Sequence, residues 1–357
     1  MDDSSEPTLV MAQASIAGGV APGDTTCREG VLEIPGGLTL HHGGQLPGVR
    51  IAWRLTGPTV APLVCAMGGI WCDRWLFDPA DARRGCWREV VGPGRPLDSS
   101  RHRILSFDYL GGSGDSTGPA QGGGIPSIST YDQAEVLARL LDHLQVRSMR
   151  AIVGGSYGGM VALAFAERFP ERVGALCIVS AADRPHPMAI AWHCIQRRIV
   201  KFAIDSGRPE EGLRLARAVG RSLYRSAEEF AARFPGIPRL EGGDFQFPVE
   251  RYLFADRDDS MSALRAEGFL CLAESLDLHQ VDATRIFVPT TAVGAREDQL
   301  VPLADVRALA ARMGAAQVRE ISSIHGHDAY LREPEQLRAI MSAALRSLET
   351  QCPSPIS

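Results

Sequence analysis

No stretch of the chain approaches the ~20 consecutive apolar residues that span a bilayer, and the acidic start "MDDSSEPTLV" lacks the basic n-region of a secretory signal. Residues 1–28 therefore read as a flexible leader of a cytoplasmic protein. A large excess of one charge is also missing. A formal net charge of -5 argues against nucleic acid or an anionic membrane as partner, since both attract basic surfaces. The eight cysteines form no CxxC pair and no Cys/His cluster at zinc spacing, so they read as free thiols and no metal is expected. Internal repeats are absent, and low-complexity sequence is confined to the leader and the tail "TQCPSPIS".

What is present is an alternation of strand and helix patterns. The segments "VRIAWRLTG", "APLVCAMGG" and "HRILSFDYLG" read as strands, and "TYDQAEVLARLLDHLQV" as an amphipathic helix. The strand "MRAIVGG" runs into the helix "SYGGMVALAFAERFP" and then the strand "VGALCIVSAA", a βαβ order that implies a mostly parallel sheet with helices on both faces. From 183 to 285 the pattern turns helical, with "MAIAWHCIQRRIVKFAI", "PEEGLRLARAVGRSLY" and "SALRAEGFLCLAESLDLH". Alternation resumes in "TRIFVPTTAVG", "LADVRALAARMG", "AQVREIS" and a last helix. The expected architecture is an open α/β core over 29–182 and 286–357, interrupted by a helical cap, or lid, over 183–285.

Gly154, Gly155, Ser156, Tyr157 and Gly158 fit G-x-S-x-G between a strand and a helix, the setting of a nucleophile elbow. The alternative, a phosphate-binding glycine loop, lacks both a following Lys-Ser/Thr and a GxGxxG. A serine hydroxyl needs a base and a residue to orient it. The loop "AREDQLVP" offers Glu297 and Asp298, and "SIHGHDAYL" offers His325, His327 and Asp328, in the chain order this architecture uses. Oxyanion donors are expected from the backbone N–H of Tyr157 and from the loop "GGIWCDRW", where Gly69 or Ile70 is the candidate.

Taken together, these segments resemble the homoserine O-acyltransferases, α/β-hydrolase-fold enzymes of methionine biosynthesis, over about residues 48–345. The most specific stretch is "GCWREVVGPGRPLDSSRHRILSFDYLGGSGDSTGP"; "IPSISTYD", the elbow, "GHDAYL", "GLRLARAVGRSLYRSAEEF" and "FPVERYL" follow in the family's order. The resemblance implies an acyl-CoA donor, no permanently bound cofactor and a ping-pong route through an acyl-serine. It implies Ser156 as nucleophile, Asp298 as orienting acid and His327 rather than His325 as base. It further implies Asp328 for the acceptor's ammonium, Arg197 for its carboxylate, and a homodimer formed through the cap. Two departures concern the substrate pockets. "AMGGIWCDRW" stands where much of the family has His-x-Leu-Thr-Gly, and the cap segment after the arginine helix is shortened to "DSGRPEEG". The "GGI" form is similar to that of succinyl transferases, which implies Arg74 as partner of a succinyl carboxylate. The rival readings are an esterase or lactonase with the same triad, an O-acyltransferase acting on another hydroxylated acceptor such as serine, and a catalytically dead binding protein of this fold.

Overall fold

The computed structural model describes residues 25–112, 114–120, 124, 126–255 and 264–346. The expected leader lies outside the described residues up to residue 24, and its last four positions require correction. They open strand β1 (Thr25–Ile34), which pairs antiparallel with β2 (Val49–Pro58) from Thr25 opposite Pro58 to Ile34 opposite Val49. Sequence reading misses β1 because most of its residues are exposed or half-buried, and a buried residue recurs at every second position only at Leu32 and Ile34.

Six further strands complete the sheet: β3 (Leu63–Met67), β4 (Arg103–Phe107), β5 (Ala151–Gly155), β6 (Leu176–Val179), β7 (Thr290–Ala295) and β8 (Ala316–Ile321). Their spatial order is β1, β2, β4, β3, β5, β6, β7, β8, and only the pairs that involve β2 are antiparallel. The central strands are buried on both faces, which is why they read as continuous apolar runs. Successive side chains point to opposite sides. Ile152 joins one core with Leu105, Leu137 and Phe165, and Val153 joins the other with Val64, Val179 and Met341. Strand β7 starts later than the sequence pattern predicts. Ala283–Arg285 forms a 3-10 turn, and Pro289, which has no N–H to give a ladder, directly precedes the strand.

Helix α1 (Thr130–His143) begins at a Ser129/Asp132 capping box, and α2 (Tyr157–Arg168) follows β5 directly. Between β6 and β7 lie α3 (Pro187–Asp205), α4 (Pro209–Leu223), α5 (Ala227–Arg233), α6 (Pro248–Phe254) and α7 (Ala266–Asp277), with a small exposed hairpin of Arg239–Glu241 and Asp244–Gln246. Helices α3 and α4 approach closely at Gly212, where a Cβ would lie 2.3 Å from that of Ala203. The core closes with α8 (Leu303–Arg312), the single turn α9 (Ala329–Arg332) and α10 (Pro334–Arg346). Among the described residues no helix is long and apolar enough to cross a membrane.

The eight-free-thiol expectation also needs correction: Cys72 and Cys86 form a disulfide, with Cα atoms 5.6 Å apart as such a bond requires. Cys27, Cys65, Cys177, Cys194 and Cys271 are free, and Cys352 lies outside the described residues.

Candidate active site

Ser156 sits where β5 turns into α2, with φ 53° and ψ -119°, a backbone conformation that costs a non-glycine residue energy. Its neighbours hold it there. The Ser156 N–H donates to Val179 O at 2.9 Å, and Gly159 N–H donates to Ser156 O at 2.9 Å. The flanking glycines answer to steric need: a Cβ on Gly154 would lie 2.4 Å from Gly158 O, and one on Gly158 would lie 2.2 Å from Met67 O. The serine makes no side-chain cap to its own helix, and its Oγ lies 2.9 Å from His327 Nε2.

His327 belongs to the 3-10 turn Gly326–Asp328 beyond β8, and its other ring nitrogen, Nδ1, lies 2.8 Å from Asp298 Oδ2. Asp298 follows β7, is buried, and accepts the backbone N–H groups of Leu300 and Val301 on Oδ1, each at 2.9 Å. Glu297 turns away, to Ser322 Oγ and the Ser323 N–H. His325 faces the cap, beside Arg225 and Glu229. The three strand ends thus bring Ser156, His327 and Asp298 into one line. Burial works against the charged imidazole of His327, but Asp298, with Asp328 beside it, outweighs that and holds its pKa above the ordinary 6.5. Such a line can take a proton from Ser156 and return it to a leaving group.

Above the serine, between core and cap, is a cavity of about 220 Å³. Its walls include Ile70, Met160, Leu276 and Leu300, with Asp328, Arg217 and Arg221 supplying charge. The loop after β3 crosses the serine: a Cβ on Gly69 would lie 3.9 Å from Ser156 Cβ. Gly68 O accepts from the Tyr109 hydroxyl at 2.6 Å and from the Gly158 N–H at 3.0 Å, which fastens the loop. The Tyr330 hydroxyl also crowds Gly69, where a Cβ would lie 2.7 Å from it, and the amides of Gly69, Ile70 and Tyr157 are the oxyanion candidates.

Two expected substrate contacts are not in the cavity. Arg197 on α3 pairs with Asp277 and donates to Ala273 O at 2.9 Å, so its charge is spent within the cap. Arg74 pairs with Asp108, donates to Asp115 Oδ2 at 2.7 Å, and its Nε lies 3.7 Å from Glu29. It ties the loop after β3 to that after β4 and does not line the cavity. Asp328 does line the cavity, but one of its oxygens is held by Arg225 Nε at 2.9 Å.

The residues missed by sequence reading lie mainly in the cap. Arg217 stacks over the ring of Trp71 at 4.7 Å, and Trp71 Nε1 donates to the Tyr224 hydroxyl at 3.2 Å. Arg217 and Arg221 are four apart on α4, one helix face, which is a readable signal that two cations would project together. Tyr330 was missed too; its ring packs where a Cβ on Gly155 would lie, 2.4 Å from Tyr330 Cδ2.

A family model described as alpha/beta hydrolase fold matches residues 84–334. The homoserine O-succinyltransferase of Xanthomonas campestris pv. campestris is 36% identical, with 97% of this chain and 94% of that protein covered. The serine O-succinyltransferase of Litchfieldella anticariensis is 30% identical, with 88% of this chain and 97% of that protein covered. Among solved structures, the homoserine O-acetyltransferase from Bacillus anthracis superposes with a TM-score of 0.79 at 17% identity, covering 89% of this chain and 97% of that one. At that identity the structural likeness bears on the fold alone.

The raised pKa of His327 carries a pH prediction. Only the neutral imidazole accepts a proton, so labelling of Ser156 by a fluorophosphonate should rise with pH and reach half its maximum above pH 6.5. Asp328→Asn removes one of the negative charges that raise this pKa and should move the midpoint toward acid. A midpoint below 6.5, or one indifferent to Asp328→Asn, would contradict the electrostatics described.

Proposed function

The chain belongs to the homoserine O-acyltransferases of the α/β-hydrolase fold, and we propose that it transfers an acyl group from acyl-CoA to the hydroxyl of L-homoserine through an acyl-Ser156 intermediate. In the first half-reaction His327 takes the Ser156 proton as Oγ attacks the thioester carbon. The oxyanion forms toward the amides of Gly69, Ile70 and Tyr157, the C–S bond breaks, and the CoA sulfur leaves with the proton from His327. In the second, His327 deprotonates the acceptor hydroxyl, which attacks the acyl carbon; the bond from that carbon to Oγ breaks, and Ser156 leaves with the proton returned by His327. Asp298 keeps the imidazole in the tautomer both steps need.

The observation that carries the transferase reading is Asp328, a carboxylate next to the base and at the wall of a mostly apolar cavity. Water needs no such partner; an amino-acid acceptor does. Because Arg217 lines the cavity and Arg197 does not, Arg217 takes the role of carboxylate partner for the acceptor, four residues from Arg221 on the same cavity wall. Arg221, which also donates to Leu253 O at 2.7 Å, is the group we assign to the free carboxylate of a succinyl chain in place of Arg74. Two cations suit a reaction whose donor and acceptor each bring a carboxylate, and succinyl-CoA is therefore the favoured donor.

A homodimer through the cap is part of this proposal. Met188, Ile195 and Phe202 are 54%, 57% and 75% exposed at spacings of seven on α3, so they share one helix face. That apolar stripe fits a contact between copies.

The test of function is product identity by mass spectrometry with succinyl-CoA or acetyl-CoA, each with homoserine, serine or no acceptor. O-succinylhomoserine should dominate, and homoserine should accelerate thiol release. Equal thiol release with and without acceptor, with only free acid formed, would make the protein a hydrolase. A faster reaction with acetyl-CoA or serine would overturn the donor or acceptor assignment. For assembly, light scattering should give twice the 38.5 kDa chain mass, and Phe202→Asp should lower it; a native particle of 38.5 kDa would refute the dimer.

A further inference from the structure

The start of α5 holds a buried charge cluster against the catalytic-histidine loop. Ser226 caps the helix, accepting from Glu229 N–H at 3.1 Å and donating to Ile324 O at 2.7 Å, which ties cap to loop. Arg225 lies between two carboxylates. Its Nη1 is 2.9 Å from both oxygens of Glu229, and its Nε is 2.9 Å from Asp328 Oδ2. Arg225 and Glu229 are 8% and 6% exposed, so solvent screens them little. The surrounding charged and titratable groups are His325, whose Nδ1 is 3.1 Å from Arg225 Nη1, the half-exposed Arg233 at 3.3 Å from Glu229, and His327 and Arg332 near Asp328.

We propose that Glu229, acting through Arg225, sets the charge that Asp328 presents to the acceptor's ammonium group and so selects an amino-acid acceptor; this rests on the ammonium role read for Asp328 above. A guanidinium beside Asp328 has two opposite effects. It holds the carboxylate in one orientation and favours its ionised form, which burial alone disfavours. It would also cancel the attraction for a substrate cation, because an incoming ammonium would meet a neutral pair. Glu229 resolves this conflict by sharing the guanidinium. With a second carboxylate on Nη1, the positive charge of Arg225 is balanced on the side away from Asp328. Asp328 keeps a net negative field toward the cavity it lines, with one oxygen fixed by Arg225 Nε. Glu229 is thus a positioning residue that never touches substrate.

The test compares two acceptors, homoserine and its analogue with a hydroxyl in place of the ammonium. Glu229→Gln is isosteric and keeps an oxygen for Arg225. It should raise KM for homoserine about fivefold to tenfold, as loss of one unit charge behind a buried contact does, and leave that for the analogue within about twofold. Glu229→Asp should restore part of the preference, and Ser226→Ala, which loosens the same helix start without changing charge, should retain it. If Glu229→Gln does not fold, Arg225→Lys, which cannot hold both carboxylates in the same way, should narrow the same ratio. An equal rise of KM for both acceptors, or no rise for either, would overturn the proposal by reducing Glu229 to a cap anchor or to nothing. Asp328→Asn separates the two claims. If it keeps the preference for homoserine, the ammonium reading fails and this inference with it; if it abolishes the preference while Glu229→Gln does not, only the inference about Glu229 fails.

Discussion

The site depends on the 2.9 Å contact between Ser156 Oγ and His327 Nε2, which joins residues 171 positions apart. Neither group alone does chemistry at neutral pH, because a serine hydroxyl is a weak nucleophile until a base accepts its proton. The contact exists because β5, β7 and β8 are parallel and deliver their following loops to the same edge of the sheet. It survives because the elbow glycines admit Met67 and Tyr330 at distances no Cβ would allow.

The cap works on that edge as a second half of the site. It is fastened at Ser226 to Ile324 and by the Asp328 N–H to Tyr224 O at 3.3 Å, so the histidine loop and the cap form one unit. A Cβ on Gly326 would lie 2.8 Å from Tyr224 O, which explains a glycine with φ 56° next to the base. The cavity's charges come from α4 and this loop and its apolar walls from α7 and the core. On the proposed function, acceptor recognition and acid–base chemistry are built from different elements that meet at one residue pair, His327 and Asp328.

The parts legible in sequence are those set by local constraint. The choice of Asp298 over Glu297 and of His327 over His325 rests on the family resemblance, whereas the glycines around Ser156 and the apolar runs of the central strands follow from backbone sterics or periodicity. Charge partners do not. Arg197 and Arg74 look available until Asp277 and Asp108, 80 and 34 residues away, neutralise them, and no local pattern reports such pairings. The Cys72–Cys86 bond spans 14 residues and likewise depends on how the loop after β3 folds back. Strand β1 stayed hidden because an edge strand with two largely exposed faces has no burial period to read. Arg217 and Arg221 were legible in principle, through their spacing on α4, but only the tertiary fold turns that face toward the serine.

A covalent bond between the acyl group and Ser156 is open to intact-protein and peptide mass spectrometry of enzyme quenched after mixing with acyl-CoA in the absence of acceptor. If transfer passes through Ser156, one acyl group per chain forms on the peptide that contains Ser156, together with one equivalent of CoA, and is discharged when homoserine is added. Turnover with homoserine but no acyl adduct at any quench time, or an adduct that persists in Ser156→Ala, would contradict it.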